Sequence, residues 1–143
     1  MKAPFRSSLK NIDSDISSCL VIMPFETEFD TIYKKVLVPT IMMANLKPFR
    51  EDEIFGEIEK AEIIWTDIIE NKVIIADVTG RDPSVLFELG LAYAIGKRVI
   101  IITQHKEDIP FDIDAIPYSF VEKTTWGSLE RQLFEIIKEV LNT

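Results

Sequence analysis

"KVIIADVTGRDPSVLFELGLAYAIGKRVIIITQ", Lys72 to Gln104, decides the fold, because it holds a whole strand–helix–strand unit. Its two ends, "KVIIADV" (Lys72–Val78) and "RVIIITQ" (Arg98–Gln104), are short unbroken apolar runs and read as buried strands. Between them, Val85 to Gly96 reads as an almost unbroken apolar helix with one charge, Glu88, and one hydroxyl, on Tyr93. Strands without polar alternation, joined by a helix, signal a parallel sheet covered on both faces. A carboxylate buried in such a helix costs several kcal/mol unless it is paired. Glu88 is therefore expected to face a cleft at the rim of the sheet.

Outward from this unit the pattern repeats. "SCLVIM" (Ser18–Met23) is a further buried strand, and residues 1 to 17 are a polar lead-in to it. "EFDTIYKKVLVPTIMMANL" carries apolar residues at helical spacing, with Pro39 expected to kink or split the helix. "KPFR" (Lys47–Arg50) is a short strand candidate, and Glu57 to Glu70 show one apolar helical face. "YSFVE" (Tyr118–Glu122) is a weak strand, and the chain closes on an amphipathic helix beginning near Trp126. The expectation is one flavodoxin-like α/β domain over 18–143, a three-layer sandwich whose five-stranded parallel sheet runs 2-1-3-4-5.

Composition narrows the function. The 143 residues are 47% hydrophobic and 28% charged, which excludes general disorder and fits one domain with a sizeable core. A net charge of -8 without a basic run argues against binding a nucleic acid polymer, which needs clustered Lys and Arg. No apolar run is long enough to span a membrane, and the polar N-terminus lacks a signal-peptide core. The single cysteine, Cys19, allows no intramolecular disulfide, so a reducing, cytoplasmic setting is expected. No Cys/His metal cluster is present in the sequence, and no cofactor is implied.

Open parallel sheets bind ligands beyond the carboxyl ends of their strands. Here those ends carry "MPFETEFD", "FREDE", "ADVTGRDPS" and "TQH", whereas the opposite connections are short and bland. In "TGRDPS", Gly80 suits a tight turn, Asp82 an N-cap and Pro83 the first helical position. The helix start, with Arg81 alongside, could hold an anion; Asp82 serving as a cap alone is the competing reading. Ser84 and Glu88, at i and i+4, share a face, and Asp77 ends the preceding strand. Two carboxylates converging on an apolar cleft suit glycosyl chemistry, one meeting the anomeric carbon and one handling the leaving-group proton. Phe25, Phe29 and Tyr33 could stack on a base, or simply pack a helix onto the sheet. Arg50 with Asp52 is either a ligand contact or a solvated loop.

"IADVTGRDPSVLFELGLAYAIGK" (Ile75–Lys97), with "VIMPFETEFDTIY" and "FREDEI" before it, resembles the nucleoside 2-deoxyribosyltransferase-like superfamily, in the branch close to bacterial TIR-like domains. The resemblance spans roughly Leu20 to Phe111. It implies a flavodoxin-like fold, a nucleophilic Glu88 that forms a glycosyl-enzyme intermediate, and Asp77 assisting the leaving base. It further implies that Pro24, Phe25, Phe29 and Tyr33 lie near the ligand, with Arg50 and Asp52 in the second loop and Gly80, Arg81, Asp82 and Ser84 in the third. A small-molecule nucleoside or nucleotide is the implied partner, and a homodimer is in keeping with it. Two readings stay open: an enzyme that cleaves or transfers at an N-glycosidic bond, NAD included, and a non-catalytic nucleotide-binding or interaction module.

Overall fold

The structure is a computed structural model and describes residues 17–50, 57–110, 119–122 and 125–142, with 57–63 and 119–122 by backbone alone. β1 (Ser18–Ile22), β3 (Val73–Asp77) and β4 (Val99–Thr103) are buried at every residue, which is why their sequences are apolar without alternation. β2 (Lys47–Arg50) alternates exposed and half-buried positions, as an edge strand should. All pairings are parallel. The expected order is met as β2-β1-β3-β4, with registers such as Leu20↔Phe49, Leu20↔Ile74 and Ile75↔Ile100. Only the four-residue β5 (Ser119–Glu122) runs along the free edge of β4, and "SFVE" lacks the aliphatic run of its neighbours.

Among the described residues, four long helical elements cover the sheet. α1 begins as Thr27–Ile32, passes through a π-helical stretch at Tyr33–Leu37 and ends as Val38–Met43. α2 is Glu57–Glu70, α3 is Pro83–Ile95 and α4 is Trp126–Leu141. Successive strand residues point to opposite faces, so the core divides in two. Cys19, Val21, Ile75 and Ile100 pack against Ile32, Leu37 and Ile41 of α1 and Leu129, Leu133 and Ile137 of α4. Leu20, Ile22, Ile74 and Ile101 pack against Ile64 and Ile68 of α2 and Val85, Leu89 and Ala92 of α3. Cys19 is fully buried, and burial pushes its thiol well above the ordinary range.

Pro39 does not split α1. It has no N–H to donate and its ring crowds the preceding turn. The helix widens just ahead of it instead, with the Val38 N–H bonding to the Tyr33 carbonyl. The Thr40 hydroxyl satisfies the Val36 carbonyl at 2.7 Å. α3 ends on Gly96 at φ 85, a left-handed cap that only glycine adopts without strain. Among the described residues no helix is long and apolar enough to cross a membrane.

Candidate functional site

From β1 the chain turns to β2 on one side, and β3 lies on the other. That reversal opens a crevice at the carboxyl edge of the sheet. A cleft of about 290 Å³ sits there, lined by Val21, Ile22, Met23, Phe25, Glu26, Arg50, Asp82, Ser84, Val85 and Glu88. Three elements build it: the end of β1 with its following loop, the end of β2, and the first turns of α3.

Glu88 reaches this wall from inside α3, one residue from the buried Leu89, and is itself only 7% exposed. The register explains its tolerance. Val85, Leu89 and Ala92 face the sheet, while Glu88 shares the Ser84 side that opens onto the cleft.

Arg50 forms the opposite wall. Its guanidinium lies 5.2 Å from the centre of the Phe25 ring and 5.3 Å from that of Tyr33. One nitrogen contacts the Asp30 carboxylate at 2.7 Å and another reaches the Pro24 carbonyl at 3.5 Å. Arg50 thus ties the loop after β1 to the end of β2, and its positive charge is balanced by Asp30. Its Nε is buried and has no hydrogen-bond partner among the described residues.

The turn before α3 behaves differently from a bare helix start. Asp82 caps α3: its Oδ1 accepts the Ser84 N–H at 2.9 Å and the Val85 N–H at 3.2 Å. Gly80 and Arg81 both have left-handed backbones, at φ 79 and 54. For Arg81 that conformation is unfavourable, and external bonds hold it. The Gly80 N–H donates to Asp108 Oδ2 at 2.8 Å, and the Arg81 guanidinium donates to the carbonyls of Glu107 and Asp108. Thr79 adds a link to the same loop, accepting the Gln104 N–H at 2.9 Å.

The sequence-derived residues therefore separate. Phe25, Arg50, Asp82, Ser84 and Glu88 meet around the cleft. Pro24 and Tyr33 brace Arg50 from behind, and Phe29 is 5% exposed in the core beneath α1. Asp77 is 2% exposed at the end of β3, with Oδ1 accepting the Thr79 N–H at 3.0 Å, and is not part of the cleft wall. Gly80 and Arg81 turn toward the loop after β4. Asp52 lies outside the described residues. Two charged contributors escaped the sequence reading: Glu26, in the wall, and Asp30, the counter-ion of Arg50. Glu26 sits in the same loaded loop as Phe25, which was signal enough. Asp30 pairs across twenty residues, a contact with no local signature. Among the described residues no group of three metal-ligating side chains occurs.

The fold is shared with a CMP N-glycosidase. Clostridium botulinum CMP N-glycosidase BcmB superposes with a TM-score of 0.61 at 16% identity, over 84% of this chain and 98% of that one. A pilus assembly-related protein from Burkholderia pseudomallei gives 0.58 at 10% identity, over 88% and 90% of the two chains. A flavo di-iron protein from Thermotoga maritima gives 0.64 at 16% identity, over 93% of this chain and 38% of that one. No protein-family model and no curated protein sequence matches. At such identities these likenesses establish the fold alone.

Proposed function

We propose that the protein cleaves or transfers at the N-glycosidic bond of a nucleoside or nucleotide, with Glu88 as the nucleophile. The observation that carries this reading is Glu88 itself, a nearly buried carboxylate opening onto a cleft at the strand ends. The fold shared with a CMP N-glycosidase supports it, as does the resemblance of "ADVTGRDPSVLFELG" to the deoxyribosyltransferase-like block. In this mechanism the Glu88 carboxylate attacks the anomeric carbon as the bond to the base breaks. Water or an incoming base then resolves the glycosyl ester. The Phe25 ring, in the cleft wall, offers a face for a base.

The resemblance to the deoxyribosyltransferase-like block makes Asp77 the proposed proton-handling partner, although in this structure it does not line the cleft. Its bond to the Thr79 N–H gives it a second task, holding the turn that leads to α3. The two tasks separate experimentally. Loss of proton delivery in Asp77→Asn is rescued by a substrate with an activated leaving group, whereas a disordered turn slows every substrate alike.

The decisive test is a mass-spectrometric screen of wild type and Glu88→Ala with pooled nucleosides, nucleoside monophosphates and NAD. A free base that appears with wild type and not with the variant supports the reading. Equal release from both proteins removes Glu88 as nucleophile. Silence from both favours the non-catalytic binding module.

A further inference from the structure

We infer that the cleft selects an uncharged nucleoside over the corresponding 5′-monophosphate, an assignment that rests on the reading of the cleft as a nucleoside site. The argument is electrostatic. Three carboxylates line the cleft, Glu26, Asp82 and Glu88, and among the described lining residues Arg50 is the single cation. Arg50 is already compensated by Asp30 at 2.7 Å, so the wall presents net negative charge to anything that enters.

The two features that would ordinarily receive a phosphate are both committed elsewhere. The first-turn N–H groups of Ser84 and Val85 bond to the Asp82 carboxylate, so the start of α3 carries its own anion. The Arg81 guanidinium is drawn to the Glu107 and Asp108 carbonyls by the left-handed turn at Gly80–Arg81. A phosphate dianion that enters the cleft meets repulsion from the carboxylates that line it.

The same groups suit a neutral ligand. Carboxylates that accept hydrogen bonds match the hydroxyls of a sugar and the exocyclic amine of a base.

The test is equilibrium binding to the full-length wild-type protein by calorimetry, with cytidine, adenosine and their 2′-deoxy forms against the four matching 5′-monophosphates. Base release is followed in parallel. The inference expects at least one nucleoside to bind about tenfold or more tightly than its monophosphate at low salt. It also expects the gap to shrink in 1 M NaCl, where the Debye length falls to about 3 Å, and in Glu26→Gln. Monophosphates that bind equally or more tightly overturn it, as does the absence of binding by every nucleoside at millimolar concentration. Base released from a monophosphate in that case leaves the glycosidic mechanism standing. Nucleoside binding without base release does the reverse, keeping the ligand and removing the reaction.

Discussion

At the scale of single residues, Glu88 and Arg81 mark what the sequence could and could not reveal. Glu88 was legible because a charge in an apolar helix has few affordable places, and a cleft wall is one of them. Arg81 was not, because its direction depends on two consecutive left-handed residues and on a loop twenty-six positions away. Two predictions belong here. Glu88→Gln keeps the shape of the side chain, so thermal unfolding should stay within a few degrees of wild type while turnover falls by about a thousandfold or more. A variant retaining a tenth of wild-type rate would show that Glu88 is not the nucleophile. Arg50→Lys keeps the charge but loses the planar fork that spans Asp30, Phe25 and Tyr33. It should lower unfolding free energy by roughly 1–2 kcal/mol, read from the urea midpoint, and weaken ligand binding.

At the scale of elements, β1, β3, β4 and α2–α4 were readable because apolar runs and helical spacing follow directly from burial on one or both faces. α1 was readable in extent but not in detail. A proline inside a helix permits a kink, a break or a widened turn, and only packing against the sheet chose the π-helical solution. β5 was the weakest reading, because an edge segment shielded on fewer sides needs less apolar sequence. The cap of α3 yields a prediction at this scale. Asp82→Ala removes the acceptor for two backbone N–H groups and should cost about 0.5–2 kcal/mol in a denaturant titration. Asp82→Asn should recover much of that loss, since its side-chain oxygen still caps. Equal stability of all three proteins would mean that the start of α3 is held from outside by the Gly80–Arg81 contacts.

At the scale of the whole molecule, the two core layers meet at a sheet whose central strands are sealed on both faces, so the fully buried Cys19 side chain of β1 is reached by reagents only when the fold opens. Cys19 stands in that strand. Its thiol is fully buried and its ionisation is suppressed by burial, so alkylation at pH 8 should be undetectable over hours in the native state and rapid in 6 M urea. Fast labelling of native protein would show that β1 opens locally. If labelling is limited by global opening, anything that binds the folded form slows it by the factor one plus ligand concentration over Kd. The chain thereby carries its own ligand detector. A single buried thiol in the strand that leads to the cleft, timed against a thiol reagent, would report which nucleosides the protein grips before any reaction has been observed.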